Sequence, residues 1–112
     1  MLSSAAAVFA VMVLAPSSFG GPERKTCQAA DGVTIVYSVA GSGEPALVFI
    51  HGGFANRGFW DEQIKAFSPQ HRVVALDLPG HGESGSNRTK WGMPEFGDDV
   101  RAVVEALSLI HI

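Results

Sequence analysis

The stretch Ala46-Leu47-Val48-Phe49-Ile50-His51-Gly52-Gly53-Phe54 sets an uninterrupted apolar run against a polar, glycine-rich break. The run is short and rich in β-branched and aromatic residues, so it reads as a strand buried on both faces. A short buried helix is the alternative, and the flanking breakers disfavour it: Gly41-Ser42-Gly43-Glu44-Pro45 before, the two glycines after. Gly52 and Gly53 let the backbone turn sharply and leave bare N–H groups at the strand's carboxyl end. In an open α/β sheet that edge is where ligands bind. A second strand-to-loop junction has the same form: Arg72-Val73-Val74-Ala75-Leu76-Asp77, then Leu78-Pro79-Gly80-His81-Gly82-Glu83-Ser84.

The rest of the chain fits around these junctions. Upstream, Thr26 to Ala30 and Thr34 to Ala40 flank Asp31-Gly32, a two-residue hairpin signal. Between the junctions, Asn56 can cap a helix from about Arg57 to Phe67. There Trp60, Ile64 and Phe67 form one apolar stripe, and Ser68-Pro69 ends the helix. Two strands joined through a helix make a βαβ crossover, hence parallel strands. Trp91 to Met93 lead into a second helix, with Pro94 near its first turn. Glu95, Asp98 and Asp99 sit near its positive end, and Phe96, Val100, Val103 and Leu107 keep helical spacing. The element order is that of the first half of a mostly parallel α/β sheet.

A strand ending in His-Gly-Gly, a helix, and a strand ending in Asp-Leu-Pro-Gly-His-Gly-Glu-Ser together resemble the N-terminal part of an α/β-hydrolase-fold enzyme. The likeness runs from about Asp31 to Ala106. It implies an α/β class, specifically an incomplete α/β-hydrolase fold: N-terminal strands, an oxyanion loop, and two helices of a mostly parallel sheet. It further implies hydrolysis of an ester, amide or related bond in a small-molecule substrate through an acyl-enzyme, with a Ser-His-Asp/Glu triad and no cofactor. By resemblance, the Gly53 backbone N–H supplies one arm of the oxyanion hole, the residue after the nucleophile supplies the other, and Phe54 lines the acyl or leaving-group pocket. An ordinary strand-ending turn is the alternative for the glycines; the Asp77 loop favours oxyanion use. The triad base follows nucleophile and acid in this fold's chain order, so His51 is expected to bond backbone and fix the loop's shape. Gly52 allows the turn. Asp77, Gly80, His81 and Gly82 are expected to shape the second loop, the Asp side chain by bonding its own following backbone. His71, near a loop proline, reads as solvated.

The nucleophile itself is not found. Gly82-Glu83-Ser84-Gly85-Ser86 approaches G-x-S-x-G, but its fifth position is Ser86, and it follows a glycine-rich loop rather than a strand. No other serine has glycines two before and two after. The acid and base are expected further on as well. The family architecture needs about 250 residues, so the chain reads as an N-terminal fragment, inactive by itself. An Asp nucleophile, as in dehalogenases and epoxide hydrolases, is an open alternative. So is a non-catalytic ligand-binding protein on the same scaffold.

Composition narrows the field. With 46% hydrophobic and 17% charged residues the chain has a globular profile. A net charge of −3 gives no basic patch for nucleic acid. One cysteine, Cys27, excludes an internal disulfide framework and reads as a lone thiol in a first strand. The histidines lack metal-ligand spacing, so no metal is expected, and no nucleotide-binding glycine motif occurs. Met1 to Pro22 carries no charged side chain, and the almost wholly apolar or small run Leu2 to Ala15 is too short to span a bilayer comfortably but suits a signal-peptide core over residues 1–20. Ser18 and Gly20 allow cleavage before Gly21. A secreted or periplasmic protein without stable membrane insertion after cleavage is expected. The first basic residue is Arg24, on the wrong side for a leader, so an uncleaved anchor, a mis-called start or a buried helix are alternatives. Finally, Leu107-Ser108-Leu109-Ile110-His111-Ile112, which CTG TCT CTT ATA CAC ATC would encode, is expected to translate the mosaic-end adapter of transposase-based sequencing libraries. The hexapeptide is therefore expected to be non-native, the alternative being a natural apolar tail.

Overall fold

The computed structural model describes residues 22–107. The expected leader over residues 1–20 lies outside them, as do residues 108–112 of the expected tail. The described elements are β1 (Glu23–Gln28), β2 (Thr34–Ala40), β3 (Leu47–Ile50), a 3₁₀ turn (Arg57–Trp60), α1 (Asp61–Phe67), β4 (Val73–Leu76) and α2 (Met93–Ala106). The four strands form one mixed sheet in the order β1-β2-β4-β3. Strand β2 is antiparallel to both β1 and β4. Strand β3 runs parallel to β4, with Leu47 beside Val73 and Ile50 beside Leu76, as the βαβ reading requires.

Strand β4 is wholly buried, and its alternating side chains feed two cores. Val73 and Ala75 face α1, meeting Ile64 with Ala40, Phe49 and Trp60 around them. Val74 and Leu76 face the other way, into a cluster with Ile35, Tyr37 and Val103. Phe96 and Val100 of α2 pack against that cluster, so the helical spacing read in the sequence is the face laid on the sheet. Burying each large apolar side chain here is worth about 1.5–3 kcal/mol. Leu107, the first residue of the expected non-native tail, is buried in the same cluster.

Several local expectations need correction. Strand β3 is not buried on both faces: it is one of the two edge strands of the described sheet, half-buried, with Ile50 exposed. The first turn is a three-residue loop rather than a two-residue one. Ala29 and Val33 pair across it, the Gly32 N–H donates to the Ala29 carbonyl (2.9 Å), and Gly32 takes φ +90°. The helix expected from Arg57 divides into a 3₁₀ turn and then α1. Asn56 does cap it, its Oδ1 accepting from the Gly58 N–H at 2.8 Å. His71 is half-buried and pairs through Nδ1 with the Pro45 carbonyl (2.9 Å), so it is not simply solvated. Asp99 does not serve the dipole of α2. It is buried and accepts both terminal nitrogens of Arg88, each at 2.8 Å. Cys27 lies half-buried on β1; burial, and secondarily the Asp99 charge, push its thiol pKa up.

Candidate active-site loop

The loop 51–56 leaves the carboxyl end of β3, beside the loop that leaves β4. His51 is buried, and both its ring nitrogens are engaged. Its Nε2 accepts from the Leu78 N–H (3.0 Å), and its Nδ1 donates to the Gly52 carbonyl (2.7 Å). Those partners assign the neutral tautomer protonated at Nδ1. The His81 ring lies beside it, centroids 4.9 Å apart, with its own Nδ1 3.1 Å from the Pro79 carbonyl. With both nitrogens committed to backbone, the His51 ring has no lone pair free to take a substrate proton.

Gly52 and Gly53 are exposed, and a Cβ at either would meet nothing within 4 Å. Neither takes a left-handed conformation; the residue that does is Phe54, at φ +64°. An L-residue held there costs about 1–2 kcal/mol. Its side chain is fully exposed. Among the described residues the Gly53 N–H has no acceptor, whereas the Ala55 N–H turns back to the Gly52 carbonyl at 3.3 Å. Phe54 also forms one wall of an open groove of about 640 Å³, whose other sides include His81, Ser86, Trp91 and Phe96.

Asp77 sits at the end of β4, fully buried. Its Oδ1 accepts from the Arg57 N–H (2.6 Å), and its Oδ2 accepts from the Arg57 guanidinium and the Glu83 N–H (2.9 Å). The bond to Glu83 is the return to following backbone that a loop Asp makes; the bonds to Arg57 had no sequence signal. Arg57 also donates from Nε to Ser38 Oγ and from Nη2 to Glu83, both at 2.8 Å. Burial pulls the Arg57 pKa down, but its bonds to Glu83 and Asp77 outweigh that and leave it above its ordinary value. Hydrogen bonds from Arg24 and Arg57 hold the Glu83 carboxyl below the usual range. A hollow of about 500 Å³ lined by these groups therefore presents charges already paired with one another.

Two glycines in the second loop have no room for a side chain. Gly82 takes φ +51°, and a Cβ there would fall 2.4 Å from the Asp77 carboxylate. Gly80 takes φ +84° under the Trp91 ring, 3.0 Å from where its Cβ would stand. Ser84 closes the loop onto the sheet: its Oγ donates to the Asp77 carbonyl and accepts from the Val36 N–H at 2.8 Å. That double engagement gives Ser84 a structural task in place of a nucleophile's. Arg57, Arg88 and Asp99 are the residues the sequence reading missed. Their partners lie 11 or more residues away, and no local pattern marks such pairs.

The chain is 36% identical over 85 residues to an (E)-2-((N-methylformamido)methylene)succinate hydrolase of Acinetobacter baylyi, covering 76% of this chain and 32% of that protein. It is 37% identical to a non-heme chloroperoxidase of Kitasatospora aureofaciens, covering 74% and 30%. Among solved structures, an esterase from Exiguobacterium antarcticum superposes with a TM-score of 0.73 at 27% identity, covering 78% of this chain and 32% of that one. An epoxide hydrolase from Vigna radiata gives 0.73 at 26%, covering 81% and 29%. The chain thus spans about a third of the length of these relatives. The family model for the α/β-hydrolase fold matches residues 45–112, which begin just before β3 and take in both loops. The chain belongs to the α/β-hydrolase fold family.

Proposed function

We propose that this chain is the N-terminal part of a hydrolase that cleaves ester or related bonds in a small molecule by nucleophilic acyl transfer. In this reading the Gly53 N–H is one arm of the oxyanion hole and Phe54 lines the substrate pocket. The observation that carries it is the Gly53 N–H, without an acceptor among the described residues, at the carboxyl end of a strand in a loop held out of its relaxed conformation at Phe54. A donor free of ground-state partners is what an oxyanion hole requires. Relatives named as an (E)-2-((N-methylformamido)methylene)succinate hydrolase, an enol-lactonase and an esterase favour hydrolysis. A structure named as an epoxide hydrolase keeps an Asp nucleophile as the second reading. The nucleophile elbow, acid and base then belong to sequence beyond Ala106, and the 112-residue chain alone is inactive. The leader makes the mature protein secreted or periplasmic, and residues 107–112 are adapter-derived.

The test is to recover the coding DNA and read past codon 106. Continuation through a strand into G-x-S-x-G supports the serine-hydrolase reading and exposes the hexapeptide as foreign. An Asp at the elbow moves the reading to epoxide hydrolase or dehalogenase chemistry. A continuation with no elbow leaves a ligand-binding protein on this scaffold. A genuine stop after Ile112 sinks the catalytic reading.

A further inference from the structure

We infer that the dipeptide Asp77-Leu78, at the end of β4, is a positioning element that pins both ends of the oxyanion loop and so fixes the direction of the Gly53 N–H. The inference rests on the hydrolase reading of Gly53. At the loop's start, the Leu78 N–H holds the His51 ring through Nε2 (3.0 Å), while Nδ1 holds the Gly52 carbonyl (2.7 Å). At its end, Asp77 Oδ1 takes the Arg57 N–H (2.6 Å), and Oδ2 takes the Arg57 guanidinium. Two adjacent residues thus grip positions 51 and 57, and only five residues bridge the gap.

What lies between the pins does not hold itself. Phe54 keeps φ +64°, yet its exposed ring packs on nothing that would enforce this. The internal turn bond, Ala55 N–H to the Gly52 carbonyl, is 3.3 Å, beyond the usual length for such a bond. A conformation of this kind persists only where its surroundings over-determine it, and here the surroundings are the two ends. Asp77 is itself immobilised by the Glu83 N–H and by Gly82, which leaves no space around the carboxylate. The arrangement makes β4, the most buried strand, the reference frame for a donor carried by the half-buried β3. Oxyanion donors act through preorganised direction, so a loosened pin lowers turnover more than substrate binding.

The test uses the full-length protein with two substitutions at one pin. His51→Leu removes both ring contacts; His51→Gln keeps an acceptor at the reach of Nε2. Backbone ¹⁵N relaxation reports the Gly53 and Phe54 amides directly, and p-nitrophenyl acetate hydrolysis reports kcat and KM. In His51→Leu the Gly53 order parameter is expected to fall from about 0.85 to below about 0.6. With it kcat falls at least about tenfold while KM stays within about twofold. His51→Gln restores most of both. A Gly53 that stays rigid in His51→Leu, or a His51→Gln as loose as His51→Leu, overturns the pin. A Gly53 that loosens without a fall in kcat overturns the oxyanion reading instead. Should His51→Leu not fold, Asp77→Ala probes the other pin by removing the acceptors of both the Arg57 N–H and its guanidinium: loosening at Phe54 and Gly53 supports the inference, and unchanged order parameters contradict it.

Discussion

Removing the Asp99 carboxylate perturbs the most enclosed charge pair among the described residues. Asp99 is 1% exposed, and the Arg88 side chain 2%. The pair is bidentate, Nη1 to Oδ2 and Nη2 to Oδ1, both at 2.8 Å, and these bonds hold the Arg88 pKa above its ordinary value against the opposing effect of burial. In Asp99→Ala the guanidinium keeps Asp31, whose Oδ2 is 2.9 Å from Nε and whose side chain is 42% exposed, and the Trp91 ring, 5.4 Å from its Cζ. Breaking a buried pair costs about 3–5 kcal/mol, because the survivor stays charged and dry. Asp31 offsets part of that, so we expect about 3–4 kcal/mol. Urea unfolding, with a slope of about 1–3 kcal/mol per molar, should show the midpoint fall by about 1–4 M. Arg88→Met combined with Asp99→Leu should recover to within about 1 kcal/mol of the native protein, since an apolar pair replaces both charges. A loss below about 1 kcal/mol in Asp99→Ala would refute the claim that this pair is buried and mutually dependent.

Three further outcomes follow from single residues. Gly82→Ala should destabilise by about 3 kcal/mol in denaturant unfolding, since it forces a Cβ both into the Asp77 carboxylate and into a left-handed φ; a neutral variant would contradict the packing described. Phe54→Gly should be neutral to about 1 kcal/mol stabilising by the same assay, because relief of the φ +64° strain outweighs the added freedom of the unfolded chain and no packing is lost. Glu83 has its folded pKa lowered by Arg24 and Arg57, so the unfolded chain binds its proton first. Its stabilising contribution is therefore present above the unfolded value of about 4.3 and is lost as pH falls through the lower folded value. Stability measured from about pH 6 to about pH 3 should fall less steeply in Glu83→Gln than in the native protein; parallel curves would remove Glu83 from the account.

Which features the sequence exposed follows from the range of the physics behind each. The strand β4 and the helix α2 were legible because burial imposes a local period, as Val73 to Leu76 and Phe96, Val100 and Val103 illustrate. Asn56 was legible as a cap because its side chain bonds two residues away. The hairpin loop was misjudged by one residue, since Asp31-Gly32 suits both a two-residue turn and a three-residue loop with Gly32 left-handed. The exposure of Ile50 was not legible, because an apolar run does not say how much of each face is covered. The candidate site was legible as two loops at two strand ends. The ties between those loops, from Arg57 to Asp77 and from His51 to Leu78, join residues 20 and 27 positions apart, and only the fold brings them together.

The most direct test of the central claim concerns the Gly53 N–H. In the hydrolase proposed for this chain, Gly53→Ala keeps that donor, meets no neighbour and needs no left-handed φ, so kcat should stay within about twofold. Gly53→Pro deletes the donor, and kcat should fall by about 10²–10³ while the protein remains folded. A folded Gly53→Pro enzyme with undiminished kcat would contradict the account, because turnover would then owe nothing to this backbone group.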